Sequence, residues 1–503
     1  MKAFCFTLTI LCAVQSILAY PRPDFAISGT ISGTDKVISA AGNLNAAATA
    51  AGSGTVELTS GYNTLTTVSN ALQAIGDAIV DAGTQLGSAL NNLASANSGP
   101  IAMAFSGATE EIDDLTDLLN SNFDGNLDTV DETGTYITTQ FADAFDVIKT
   151  TLGRLAGALN ALQTKVEAAR NAAGSSPSVS AAIIRSRIPA KYVNDVLAEV
   201  RNLAGNMPLV KFVIDSSLQN LDMVDTFILE LEEEVNDNVE RYGTSNDAFQ
   251  EILSDEAGNY ADILIDGVGD SVSSIIFPLY ADLTEISEYP SDLSGPLGAL
   301  GAALTSSLAD INDAIAGSFT TYSDNVDTIF GDLAGSLGSA FCSPIEAVSE
   351  VQIANGPYAD FCFAKHSPRV FAQISIAIDS FDVCFEKEVG RVINYEIVIA
   401  YISEQISYNT EDLQDNLNLC LAMPTAATKG VCLATLAPYY AAIAAQVEAH
   451  LDSVADLVDA ETRASYNRLG ACLITSLSAT SLIADEIATD ANDCEDNGPQ
   501  AGS

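Results

Sequence analysis

Base is scarce in this chain. Twenty Lys and Arg stand against 67 Asp and Glu, for a formal net charge of −47, although only 17% of residues are charged. Nucleic acid or an anionic membrane surface would be repelled, so neither is an expected partner. Tryptophan is absent, and histidine is limited to His366 and His450. His450 has Asp452 two residues on, but positions i and i+2 of a helix face different ways, and His366 only precedes Ser367. Neither has the setting of a general base. Also missing are a Gly-x-Ser-x-Gly elbow, a Gly-x-x-x-x-Gly-Lys phosphate loop, a His-Glu-x-x-His pair and a Cys-x-x-Cys. Their absence removes the main hydrolase, nucleotide, zinc and thiol-redox signatures. No catalytic residue, cofactor or resident metal is expected, and no Asn-x-Ser/Thr acceptor marks N-glycosylation.

The first residues do carry a signal. Lys2 precedes an apolar stretch from Ala3 to Val14, followed by small residues around Ser16 and Ala19 and by the polar run after Tyr20. This pattern reads as a signal peptide over 1–19, cleaved near Ala19, and places the protein outside the cell. At the other end, Asp496 to Gln500 lacks the apolar tail of a lipid-anchor signal. The uncharged stretch Val431 to Val447 contains Pro438 and the Tyr439, Tyr440 pair, so a buried core helix is expected there, not a lipid span.

Cysteine is missing from Tyr20 to Phe341, whereas Cys342, Cys362, Cys384, Cys420, Cys432, Cys472 and Cys494 all follow. The expected organisation is a flexible Gly, Ser, Ala-rich lead-in over 20–54, a cysteine-free helical region over 55–341, a cysteine-rich helical domain over 342–494 and a polar tail over 495–503. The fold class is all-α, an elongated antiparallel bundle or coiled-coil-like region followed by a disulfide-stapled helical domain.

Periodicity supports this class. Leu58, Leu65, Leu72, Ile79, Leu86 and Leu93 recur every seven residues, with Val68, Ile75, Ala82 and Ala89 three places on. After the break at Ser98, Gly99, Pro100, a second helix is marked by Phe105, Ala108, Ile112, Leu115 and Leu119. A third carries Phe141, Phe145, Ile148, Leu152, Leu155, Leu159, Leu162 and Val166. From Leu297 to Leu337 the repeat lengthens to eleven, as in Leu300, Ile311, Tyr322, Leu333, which calls for a nearly straight helix. Glycines at or near these seams, such as Gly76, Gly83, Gly87, Gly298, Gly301, Gly331 and Gly335, mark either close helix contacts or compositional drift.

Two polar features have more than one reading. Asn120, Asn122, Asp124, Gly125, Asn126, Asp128 and Asp131 fall at the spacing of a calcium loop, yet Asn replaces the first Asp and Asp131 is shorter than the clasping Glu; the alternative is a polar turn between helices. The nine basic residues from Lys149 to Lys211 can dock on acidic helices of the same chain or on an external acidic partner.

In the cysteine-rich region, Ser367 and Pro368 read as a helix start leading to Phe371, Ile374, Ile378, Phe381 and Phe385. Cys384 then lies on the order of 24 Å from that start, out of reach of Cys362. Cys420 and Cys432 bracket Pro424 and the Lys429, Gly430 turn and can join across a helical hairpin. Seven cysteines leave about 105 ways of pairing six, with Cys494 or Cys342 the expected odd thiol, free or linking two chains as a disulfide-bonded dimer.

The run Cys362, Phe363, then Cys384, Phe385, Cys420, Leu421, Cys432, Leu433, the Tyr439, Tyr440 pair, and Tyr466 ahead of Cys472, Leu473 resembles the tsetse EP domain of secreted insect proteins. The likeness covers Cys342 to Cys494, about a third of the chain. The Glu-Pro repeats of that family are absent, and the cysteine-free region has no counterpart in it. Membership implies an extracellular insect protein of a gut or other epithelial lumen, and supplies no catalytic residues. The expected function is therefore a secreted, non-enzymatic structural or interaction protein with an extracellular partner. The alternative is a carrier of small apolar ligands, with Phe371, Phe381, Phe385, Tyr439 and Tyr440 as candidate cavity walls.

Overall fold

The computed structural model describes residues 24–500, with 122, 270, 271 and 288 excepted, so the signal-peptide reading lies outside the described residues. The fold is all-α, and the one β feature among the described residues is an isolated bridge between Asp24 and Ile27. In chain order the helices are α1 (Thr34–Ala51), α2 (Asn63–Ser95), α3 (Ile101–Ser121), α4 (Asp124–Asp131), α5 (Thr135–Ala173), α6 (Ala181–Arg187) and α7 (Ala190–Leu264). There follow α8 (Phe277–Thr284), α9 (Ser291–Ala302), α10 (Leu308–Ile353), α11 (Ala359–Leu421) and α12 (Ala426–Asn497). Wider π-helical turns occupy Ile265–Gly269, Val272–Ile276 and Ala303–Ser307.

The chain divides into two compact units that ignore the expected boundary at 341/342. The first comprises residues 1–231, 346–367 and 488–503; the second comprises 232–345 and 368–487. The physical reason is helix length. Helices α7, α10, α11 and α12 run 75, 46, 63 and 72 residues, and each contributes one stretch to each core.

In the first unit the heptad residues Leu65, Leu72, Ile79, Leu86 and Leu93 are buried along α2, whereas Leu58 lies in the extended segment before it. The expected seams of α3 and α5 are buried as well. The lead-in is not flexible: α1 buries Val37, Ala40, Ala41, Leu44, Ala48 and Ala51, and ahead of it Phe25, Ala26, Ile27 and Ile31 are also buried. The Phe25 and Ala26 amides donate to the Ala94 and Ala96 carbonyls, which ties the entry to the end of α2. Small residues permit the α1–α2 approach. A Cβ on Gly83 would lie 2.6 Å from Ala48 Cβ, and one on Gly76 3.2 Å from the Gly52 backbone. At Gly298, Gly301, Gly331 and Gly335 nothing lies within 4 Å, so those glycines serve no contact.

Two polar contacts join distant parts of the same unit. The Asp225 carboxylate accepts from the Thr59 and Ser60 amides, at 2.9 Å for each closest contact. Burial works to raise its pKa, but the hydrogen bonds from Ser60 and Thr59 outweigh it and hold the carboxyl below its usual range. Asn355, in the left-handed region at φ 54°, follows the end of α10. Its Oδ1 accepts from Asn220 Nδ2 at 2.9 Å, while Gln352 Nε2 donates to Asn220 Oδ1 at 3.0 Å.

The second unit is built on aromatic layers. Tyr242 of α7 stacks on Phe330 of α10 with ring centroids 4.2 Å apart, and Phe381 and Phe385 of α11 tilt against it. Phe249 packs edge-on to Tyr322, and Tyr260 edge-on to Phe319. The eleven-residue repeat is buried almost throughout, including Leu300, Ile311, Tyr322 and Leu333, although it spans α9, a π-helical turn and α10 in place of one uniform helix.

Two sequence boundaries are corrected. Ser367 and Pro368 do not start a helix, because α11 begins at Ala359 and runs through them. Proline removes one backbone hydrogen bond, and buried Cys362, Phe363, Val370 and Ile374 on either side carry the helix past that loss. The polar tail is in part helical, since α12 continues to Asn497 and buries Cys494.

Candidate functional site

Three disulfides are formed: Cys362 with Cys494 in the first unit, and Cys384 with Cys472 and Cys420 with Cys432 in the second. Their Cα atoms are 5.7, 5.9 and 5.5 Å apart, within the span a bridge needs. The hairpin pairing of Cys420 and Cys432 is the expected one, although Lys429 and Gly430 lie within α12 and the turn is centred on Pro424. Cys494 is paired, so Cys342 is the odd thiol and is exposed on α10. This degree of pairing fits an oxidising compartment.

The other sequence candidates do not assemble into a site. Asp124–Asp131 is a helix, not a calcium loop; Asn120 Oδ1 accepts from Lys149, and Asp131 accepts from Thr138. Asn122 lies outside the described residues. No group of three or more His, Cys, Asp or Glu among the described residues could hold a metal ion. His366 is not at a helix start but fully buried within α11. The basic stretch is engaged locally: Lys149 pairs with Asp146, Arg154 with Glu199, Lys191 with Asp195 and Lys211 with Asp215. Lys165 lies over the Tyr192 ring.

The second unit contains a buried polar network that the sequence did not announce. Glu388 of α11 accepts from Ser465 at 2.7 Å and from Arg468 at 3.1 Å, both on α12, and pairs with Arg391. Arg468 also reaches Glu461 at 2.6 Å, and the Tyr322 hydroxyl lies 2.8 Å from Ser465. A carboxylate so buried is tolerated because its lone pairs are met by charge-assisted bonds. Nearby, Glu256 of α7 faces Glu396 of α11. Burial, followed by the hydrogen bond and repulsion from Glu396, pushes the Glu256 carboxyl up to about 7. The Glu388 carboxylate is buried while Arg391 and Arg468 remain partly exposed, so the network ties α10, α11 and α12 together.

Two features of the second unit can engage another molecule. The first is an apolar cavity of about 260 Å³, walled by Val235 and Val239 of α7, Leu337 and Phe341 of α10, and Ile374 and Ile378 of α11, with Tyr242 also lining it. None of the five expected aromatics lines it. Phe381 and Phe385 contact Tyr242, Tyr440 is buried and donates to the Leu413 carbonyl, and Tyr439 is 61% exposed.

The second feature is an exposed apolar strip on α11. Ile393, Ile397, Tyr401 and Tyr408 are all exposed, Tyr401 at 68%, and at 100° per residue they lie within one quadrant over about 22 Å of helix. Residues 392–421 contain no Lys or Arg; Glu404 lies within the same quadrant, between Tyr401 and Tyr408, and Glu396, Glu411, Asp412 and Asp415 are the other acids nearby in sequence. The Tyr408 hydroxyl donates to Glu404 at 2.7 Å. The Val431 to Val447 stretch of α12 is buried on one face only: Leu433, Ala437, Tyr440, Ala444 and Val447 are inside, whereas Val431 and Tyr439 are exposed. By length and composition, α12 and the run Ala190–Thr284 each include a window apolar enough to cross a membrane, with mean hydropathy 1.4 and 1.3.

The chain matches no family model, no curated protein sequence and no solved structure at significance.

Proposed function

We propose that this is a secreted, non-enzymatic interaction protein of an extracellular lumen, which binds a protein partner through the apolar strip of α11. The observation that carries the reading is the strip itself, Ile393, Ile397, Tyr401 and Tyr408. Large apolar side chains aligned and exposed in this way mark a contact surface more than an isolated exposed leucine does. The nearby acids and the absence of base over 392–421 define the partner's chemistry: an apolar contact with Lys or Arg beside it. Tyrosine is among the residues enriched at protein interfaces, and Glu404, between Tyr401 and Tyr408, offers a charge for a basic partner to meet. Export is supported by the apolar leader after Lys2 and by the three disulfides. The tsetse EP-like cysteine pattern adds the expectation of an insect epithelial lumen.

The test is photo-crosslinking in the fluid into which the protein is exported, with a benzophenone side chain in place of Tyr401. A basic partner crosslinked at low salt, and lost at high salt or on Ile397→Asp, supports the reading. A full-length chain that crosslinks to nothing, or to the same set after Ile397→Asp, contradicts it.

A further inference from the structure

Several buried polar atoms of the second unit lack a hydrogen-bond partner, among them Asn246 Oδ1, Tyr289 Oη and the Tyr242 hydroxyl. Tyr242 is 1% exposed and its oxygen has no hydrogen-bond partner, although a buried phenol ordinarily finds one. Its ring is fixed by Phe330, Phe381 and Phe385, so the hydroxyl cannot swing out to water. The same side chain lines the apolar cavity between α7, α10 and α11. The one other polar side chain in that lining, Asn238, already donates to the Glu234 carbonyl and carboxylate, each at 2.8 Å.

We infer that this cavity is a binding site for a small neutral apolar molecule carrying one hydrogen-bond acceptor, which Tyr242 Oη recognises by donation. The size follows from volume. An apolar cavity of 150 Å³ holds benzene, so about 260 Å³ takes roughly ten non-hydrogen atoms. Neutrality follows from the surrounding charge. The lining contains no Lys or Arg, and the nearby Arg241 is held by Asp379 and Asp382. Two acids neighbour the lining residues, Glu234 beside Asn238 and Asp382 near Tyr242, and are engaged by Ser375 and Ser245. An anionic ligand such as a carboxylate would be stripped of water beside acids, with no Lys or Arg in the lining to meet it. The inference is independent of the α11 strip, since it uses other residues of that helix.

The test is calorimetric titration of the intact, disulfide-bonded chain with three probes of similar shape: 1-indanone, indane and indane-1-carboxylate. Saturable one-to-one binding of 1-indanone is expected, about fivefold tighter than indane, with the carboxylate weakest. Tyr242→Phe removes only the donor, and should lower 1-indanone to the level of indane while leaving indane unchanged. Gly338 lies at the exposed rim, where a Cβ would meet nothing within 4 Å, so Gly338→Leu should fold and block both neutral probes. Absence of saturable binding by either neutral probe, an indanone preference that survives Tyr242→Phe, or tighter binding of the carboxylate would each overturn the inference.

Discussion

The α1–α2 pair of the first unit and the α11–α12 pair of the second are antiparallel helices of one chain held by different means. Between α1 and α2 there is no cross-link; contact depends on the absence of side chains at Gly83 and Gly76, where Ala48 and the Gly52 backbone press in. Between α11 and α12 the second unit has two disulfides, an ion pair of buried Glu388 with partly exposed Arg468, and few close glycines. Backbones that approach closely gain dispersion contacts without needing bulky seams, whereas covalent ties constrain the unfolded chain and leave side chains free to be polar or exposed. The second unit also has Ile397 and Tyr401 exposed and a cavity between α7, α10 and α11.

The largest expected effect comes from removing a covalent tie. Cys384→Ser with Cys472→Ser opens a bridge of sequence separation 88 and should cost about 4 kcal/mol in denaturant unfolding of the second unit. Unchanged unfolding of that unit would break the comparison. Next in size is Gly83→Leu, which drives atoms into Ala48 and should cost about 2 to 3 kcal/mol, lost from the first unit alone.

Acidity sharpens the contrast at two carboxyls, Asp225 and Glu256, which should respond with opposite sign. Asp225 is held below its ordinary value near 3.8, so this residue binds fewer protons folded than unfolded. Its contribution is present above that pH and is lost as pH falls through the folded value. Glu256 is raised from 4.5 to about 7, so this residue binds more protons folded than unfolded over that interval. Stability should fall as pH rises from about 4.5 to 7, and Glu256→Gln should flatten the curve. Thermal unfolding of wild type and Glu256→Gln between pH 4 and 8 reads this directly. The smallest effect is at Gly331, where no neighbour needs the space: Gly331→Ala should stabilise the helix by up to about 1 kcal/mol, measured as a small rise in Tm.

Legibility followed the size of the seam residues. The leucines of α2, the aromatics and leucines of α5 and the eleven-residue repeat could be read because large side chains recur at fixed steps. Helix α1 was hidden because its buried face is mostly alanine, which looks like composition and not pattern. The α7 seam runs through buried Leu231, Asn238, Tyr242, Asn246, Phe249, Leu253, Glu256 and Tyr260; its polar members interrupt the apolar count. Following steps of three and four straight through them would have placed Tyr242 inside, and with it the cavity. The α11 strip was concealed for the opposite reason: Ile397 and Tyr401 are large and apolar, and the sequence gives no sign of which face of the helix is covered. The unit boundaries were not legible at all, because they fall within helices and no break in composition marks them.

The difference between the two pairs is tested most directly by amide hydrogen exchange of the full chain with and without reductant. Reduction should speed exchange in α11 and α12 within residues 368–487 while leaving α1 and the facing stretch of α2 unchanged. Equal loosening of both pairs, or protection of α11 and α12 that persists once their disulfides are reduced, would contradict the account.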